Sequence, residues 1–148
     1  MAISGRLQQR TETKNAKLRI FGTLVATRHD PTQQDTLRSL NLIDVVFADD
    51  FNVREAWSAY YAVLSDGNLN NPIGWSIREE KRRALLLEMT RALSLQQKVS
   101  LSDILRSYMP SFVGDQTEVT YMKLKIDKAQ LTKQMADLGL SDEQSSKP

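Results

Sequence analysis

Ser76-Ile77-Arg78-Glu79-Glu80-Lys81-Arg82-Arg83-Ala84-Leu85-Leu86-Leu87-Glu88-Met89-Thr90-Arg91-Ala92-Leu93 contains the fold's logic in one segment. Ser76 and Glu79 have the spacing of a capping box, in which each side chain satisfies the other residue's backbone N–H at a helix start. Leu85, Leu86, Met89 and Leu93 then recur on one face of a 3.6-residue period. The first two turns set Arg78, Lys81, Arg82 and Arg83 against Glu79 and Glu80. That pattern reads as a solvated face laced with pairs such as Glu79 to Arg83. An amphipathic helix from Ser76 to Leu93 is the expectation, and the rest of the chain follows the same period.

Upstream, Gly67 to Trp75 holds three asparagines, two glycines and a proline, and reads as the longest internal loop. Before it, Val53, Trp57, Tyr60, Tyr61 and Leu64 share a face of a helix from Val53 to Ser65, with Asn52 and Glu55 in capping-box positions and Asp66-Gly67 as its stop. Asp30-Pro31 reads as the N-cap and first residue of a second helix. Leu37, Leu40, Leu42, Ile43, Val46 and Phe47 make that helix apolar on most sides, which predicts a central position. A first helix from Gly5 to Arg28 carries the stripe Leu18, Phe21, Leu24 and Val25 behind a polar, basic first half.

Downstream, Ser100 and Asp103 predict a capping box for a short helix to Tyr108, with a Val99 to Ile104 staple. Residues 108–114 read as a linker. Asp115 and Glu118 open a last helix through Leu138, closed by Gly139, and Ser141 to Pro148 read as a frayed tail. In the last helix Val119, Met122, Ile126 and Ala129 follow a and d spacing until Lys133 breaks the register, so a long coiled coil is not expected. The β-favouring stretches Val45-Val46-Phe47 and Phe112-Val113 are too short for a sheet, and no repeat of period 20 to 50 is present. The fold class is therefore all-α: a compact bundle of five or six helices with a long basic N-terminal helix. The expected organisation is a basic arm over residues 1–16, one helical domain over 17–140 and a disordered tail over 141–148.

Composition narrows the chemistry. The 148 residues include no cysteine and one histidine, which removes disulfides, thiolate nucleophiles, zinc fingers and iron–sulfur ligation. The longest uncharged runs are about ten residues, half of what a hydrocarbon layer requires, and no apolar leader with a cleavage site is visible. A cytoplasmic protein is the expectation. Charge is unevenly spread: residues 1–29 hold six basic and one acidic residue, residues 30–71 hold two and seven, and the remainder 12 and 10. The basic arm is thus expected either to fold back on Asp35, Asp44 and Asp49 or to face an anionic surface.

Candidate catalytic groups are sparse. His29 and Asp30 are adjacent in a turn, where neighbours rarely aim at the same proton, and Ser4, Ser39 and Ser58 have no glycine-flanked elbow. Asp44, Asp49 and Asp50 lack the lysine or glycine-rich cradle of phosphoryl chemistry. Trp57 reads as core in preference to interface, while Trp57 and the Trp75 loop together offer a candidate binding surface. No catalytic, cofactor-binding or metal-ligating residue is assigned, no cofactor is expected, and the chain is not expected to be an enzyme.

Three segments occurring together carry a family resemblance: Lys17-Leu18-Arg19-Ile20-Phe21-Gly22-Thr23-Leu24-Val25-Ala26-Thr27-Arg28, Leu40-Asn41-Leu42-Ile43-Asp44-Val45-Val46-Phe47, and Val53-Arg54-Glu55-Ala56-Trp57 with Tyr60 beyond. Leu85-Leu86-Leu87-Glu88-Met89 and Tyr108-Met109-Pro110 fit the same pattern. The chain resembles the uncharacterised bacterial proteins grouped as domain of unknown function 6680, over roughly residues 8 to 120. Members of that family typically carry a membrane-spanning helix ahead of the arginine-rich stretch. The resemblance therefore implies a domain at the cytosolic face of a bacterial membrane, with the basic arm as its positive-inside flank. This chain begins at Met1 without that span, and no catalytic residues come with the family.

Arg28, Asn41, Asp44, Arg54 and Glu55 stand beside strongly apolar residues, and buried polar groups must be paired. They are expected to form a hydrogen-bonded network tying the first three helices together. The function expected from sequence is a non-enzymatic helical protein-interaction module at the inner face of the membrane, using Arg28, Asn41, Asp44, Arg54, Trp57, Trp75, Arg78 and Arg82. Its alternative is an accessory nucleic-acid-binding protein using the basic helices. The expected partner is a protein, with a homo-oligomer and an anionic membrane surface as further options and nucleic acid behind them.

Overall fold

A computed structural model of the chain describes residues 2–106, 108 and 111–139. The helices are α1 (Ala2–Ala26), α2 (Gln34–Val46), α3 (Phe51–Ser65), α4 (Pro72–Ala92), α5 (Leu101–Leu105) and α6 (Ser111–Asp137), with a 3-10 turn at Gly67–Leu69. No strand occurs among the described residues. The fold is all-α, and its long N-terminal helix is present. The chain divides into two units, Met1–Ser107 with α1 to α5 and Tyr108–Pro148 with α6.

In the first unit α4 is the organising helix. It packs most extensively on α3 and also meets α1 and α5, while α1 pairs with α2. Its Leu85, Leu86, Met89 and Leu93 are buried, as their spacing predicts. Around them lie Ile20, Phe21 and Leu24 of α1, Leu40 and Ile43 of α2, Phe47 after it, Val53, Trp57 and Tyr60 of α3, and Ile104 of α5. Helix α2 is not central as expected. Thr36, Ser39, Leu40 and Ile43 turn inward on one stripe, whereas Leu37 and Leu42 are each 49% exposed. Small polar residues share its buried stripe, and Thr36 Oγ1 donates to Thr27 Oγ1 at 2.5 Å, joining α2 to the end of α1.

Helix starts differ from the sequence reading where two capping signals compete. Helix α4 begins at Pro72, four residues before Ser76, because Asn71 is its N-cap: the Asn71 side chain accepts from Gly74 N at 2.8 Å. Ser76 instead donates to Pro72 O at 3.3 Å within the helix. Trp75 thus stands in the first turn of α4 and not in a loop. Gly74 permits this start, since a Cβ there would collide with the Leu69 backbone carbonyl of the 3-10 turn. Asp30 does not cap α2. Its carboxylate accepts from Thr32 N at 3.0 Å and Thr32 Oγ1 at 2.5 Å, closing a local turn, and α2 opens at Gln34. Helix α3 starts at Phe51 behind Asp50, so Asn52 and Glu55 lie inside it and form no capping box.

The capping box of Ser100 and Asp103 is present in full at α5, and Val99 packs against the cluster that includes Ile104. Helix α5 stops at Leu105, short of Tyr108. At the far end of α4, Ser94 N donates to Arg91 O and Leu95 N to Thr90 O, the paired bonds of a Schellman motif. Ser94 takes φ 55° there, a position glycine usually fills. Helix α6 begins at Ser111, so Ser111 to Gly114, expected as linker, are helical. A glycine inside a helix costs only about 1 kcal/mol. Gly139, at φ 72°, follows the helix end as expected. The tail at 141–148 and residues 109–110 of the expected linker lie outside the described residues.

Candidate functional site

Two grooves on the first unit divide the eight residues singled out from sequence. Arg28 after α1, Trp75, Arg78 and Arg82 on α4, together with Leu37 on α2 and Leu64 on α3, line a groove of about 710 Å³. Trp75 is 50% exposed and Leu37 nearly the same, so apolar surface faces solvent here. The three guanidinium groups differ in how they are occupied. Arg78 Nε donates to Val63 O at 2.9 Å, and its Nη2 donates to Asp66 O at 3.1 Å and Asn70 Oδ1 at 2.9 Å, closing the C-terminal end of α3. Arg82 grips Glu79 through Nε at 2.9 Å and Nη2 at 2.6 Å. Arg28 donates through Nη1 to Val25 O at 2.6 Å and through Nη2 to Arg106 O.

Arg28 Nε and Arg82 Nη1 are left buried without a hydrogen-bond partner. An unmatched buried donor on a charged group costs more than a neutral one and favours any acceptor that can reach it. Among the described residues Glu79 is the only carboxylate lining this groove. Tyr60, at its floor, has its phenol pushed above the ordinary value by burial, against the opposing pull of Arg82.

The second groove, about 640 Å³, takes Asn41 and Asp44 from α2 with Arg54, Trp57 and Tyr61 from α3. Trp57 is core, 8% exposed, with edge-on contacts to Tyr60 at 6.1 Å and Tyr61 at 5.7 Å. Trp57 and Trp75 therefore belong to different grooves. The expected five-residue network is reduced to one pair, Arg54 Nε with Asp44 Oδ1 at 3.4 Å. Arg28 is spent on Val25 and Arg106 carbonyls, and among the described residues no hydrogen bond brings in Asn41 or Glu55. The reason is geometric: Asn41, Asp44, Arg54 and Glu55 are exposed, so none of them needs a protein partner.

A third cleft, about 500 Å³, is lined by Arg6, Arg10, Lys14 and Lys17 of α1, by Asp49 and by the end of α4. The spacing of four, four and three residues sets these cations along one side of the helix. Lys17 forms a 2.6 Å ion pair with Asp50 and lies 5.6 Å from the centre of the Phe47 ring, pinning α1 against the start of α3. The fold-back of the arm onto Asp35, Asp44 and Asp49 is not made among the described residues: Arg6, Arg10 and Lys14 form no ion pair there, and the one pair of α1 is Lys17 with Asp50, just past the arm. Asp35 pairs with Arg38 at 3.6 Å and Asp44 with Arg54.

His29 Nε2 lies 3.4 Å from Gln33 Nε2, while Asp30 is turned to Thr32, so the adjacent imidazole and carboxylate engage different groups. No group of three or more His, Asp or Glu residues among those described is placed to hold a metal ion. Sequence reasoning missed the Lys17–Asp50 pair and the outward Leu37. The first carried no signal, because ion pairs between distant positions are invisible to local spacing. The second was legible as a leucine out of phase with Thr36, Leu40 and Ile43.

A family model described as a family of unknown function, DUF6680, matches residues 1–141. No curated protein and no solved structure matches the chain. Among the described residues no helix is long and apolar enough to cross a membrane.

Proposed function

We propose that this chain, which belongs to the DUF6680 family, is a non-enzymatic helical interaction module that docks a protein segment in the groove of Arg28, Trp75 and Arg82. The segment has an apolar side chain to lie on Trp75 and Leu37 and a carboxylate that pairs with the Arg28 and Arg82 guanidinium groups as they turn out to meet it. The observation that carries this reading is that Arg28 Nε and Arg82 Nη1 are both buried, unpartnered and on residues lining the same largely apolar groove. Charged donors at an apolar site favour a partner that presents the opposite charge, because a mismatched one leaves them desolvated.

The setting proposed is the inner face of a bacterial membrane. Arg6, Arg10 and Lys14 supply the attraction to anionic lipid, at about 1 kcal/mol for each basic residue near such a surface. The same row of cations supports the second reading, contact with nucleic-acid phosphates.

Selection of displayed random peptides on the immobilised full chain tests the docking reading. Enrichment of a carboxylate beside a leucine or aromatic residue is expected. Trp75→Ala and Arg82→Gln should each weaken the selected peptide at least about tenfold, the effect of 1.4 kcal/mol, with Tm held by the rest of the core. Absence of enrichment, or unchanged affinity in both variants, overturns it. Co-sedimentation with phosphatidylserine vesicles, compared with neutral ones, tests the setting. Oligonucleotide binding that collapses between about 50 and 200 mM salt supports the second reading instead.

A further inference from the structure

Helix α6 carries two apolar stripes. The first, Val119, Met122 and Ile126, ends at Lys133. The second runs Tyr121, Leu124, Lys128, Leu131 and Met135 and ends on Leu138, one residue past the helix, in alternating steps of three and four residues over 18 positions. Those are the a and d positions of successive heptads, and five of the six are apolar. Their side chains are 38% to 73% exposed, and every described side chain from Val119 to Gly139 is exposed. Stripes of this kind stay in solution only at a cost, about 25 cal/mol for each Å² of apolar surface left in water.

We propose that α6 is a self-association element, pairing with α6 of a second copy of this chain as a parallel, in-register two-stranded coiled coil. The charges on the seam select this occupant. In a parallel coiled coil a side chain at an a position enters a hole made by the preceding d and g residues and by the a and d residues of the facing helix. For Lys128 in register, that hole is Leu124, Asp127, Lys128 and Leu131 of the second copy. Each Lys128 ammonium therefore meets the Asp127 carboxylate of the other helix, and symmetry makes the pair twice.

The arrangements nearest to it along this seam do not. A slip of one heptad replaces Asp127 by Thr120 or Gln134 at the g position. An antiparallel pairing that keeps a opposite d sets Lys128 against Leu131. The facing Lys128 residues repel, and their stems can lie along Leu124 and Leu131 while the heads turn to Asp127. A single charged a position of this kind sets register and lowers stability. The seam is about 26 Å long at 1.5 Å per residue, short enough that the association is weak and dependent on concentration. This inference stands on the second unit alone and is independent of the groove on the first.

Sedimentation equilibrium of the full chain over a concentration series is the test. The average mass should rise from one chain towards two. Leu131→Glu should hold it at one chain while leaving Tm of the first unit unchanged. Asp127→Lys should weaken association severalfold at low salt, and adding Lys128→Asp should restore it. The chain has no cysteine, so Leu138→Cys reports orientation directly: oxidation should join the two copies at that position. A single-chain mass at every concentration overturns the proposal. So does association that survives Leu131→Glu, or a dimer that Leu138→Cys fails to crosslink.

Discussion

The first unit and α6 use the same residue types to opposite ends. In α4, Leu85, Leu86 and Met89 are at most 1% exposed, whereas in α6 Leu124 and Leu131 are at least 58% exposed. Both segments are long helices of leucine with basic and acidic residues, arginine leading in α4 and lysine in α6, and both have an apolar period. What separates them is neighbours: α4 sits among α1, α3 and α5, which close over its stripe. Helical periodicity in a sequence therefore shows that a face seeks cover, and only the other elements decide whether the cover comes from within the same unit.

Truncation gives the sharpest form of this contrast. Phe47→Ala should destabilise the first unit by about 3 to 5 kcal/mol, since Phe47 is 0% exposed and its loss opens a cavity. Leu131→Ala should change the same unit's stability by no more than about 0.5 kcal/mol. Chemical denaturation followed by tryptophan fluorescence reads both, because Trp57 and Trp75 lie in the first unit. Equal effects would erase the distinction between the two regions.

Gly74→Ala probes how tightly the first unit is closed where no side chain is involved. The added methyl has backbone in its path, and a cost of about 1 to 3 kcal/mol is expected in the same denaturation assay. A substitution of glycine by alanine at Gly114, inside α6, should instead favour the helix by up to about 1 kcal/mol. A cost at Gly74 would show backbone contact outweighing the helical preference for alanine. Ser94→Gly should stabilise the first unit by about 1 kcal/mol, because it relieves the left-handed backbone of the Schellman turn.

The smallest expected effect is on pH dependence. The Ser100 hydroxyl and then its backbone N–H hold the Asp103 carboxyl below the ordinary value of 3.8. A depressed value in the folded state means that this stabilisation is present above 3.8 and is lost as pH falls through the folded value. Acid titration of Tm should show a shallower decline for Ser100→Ala than for the natural chain, confined to pH below about 4. At the other extreme, Tyr60 is raised, so stability should fall as pH climbs past 10 and the unfolded chain ionises first.

How much of this was legible in the sequence depends on the range over which each cause acts. The buried stripe of α4 and the Ser100 box were read correctly because both are settled within a turn or two of helix. Asp30-Pro31 and Asn71-Pro72 present the same local signature, yet only the second starts a helix. Asn71 directs its side chain forward to Gly74, while Thr32 captures the Asp30 carboxylate two residues on. The candidate site was legible as a set of residues and not as a place. Arg28 and Arg82 are 54 positions apart, and their shared groove exists only once α1 and α4 have packed.

The Lys17–Asp50 pair gives α1 a mechanical character. From Ile3 to Asn15 the helix is exposed on every side, and from Ile20 it is gripped by the core, with Lys17 at the changeover. Arg6 stands about 16 Å beyond that fulcrum at the helical rise of 1.5 Å per residue. A rigid rod held at one end turns a force on its free basic end into torque at the fulcrum. Asp50, where that torque arrives, is also the residue from which α3 departs.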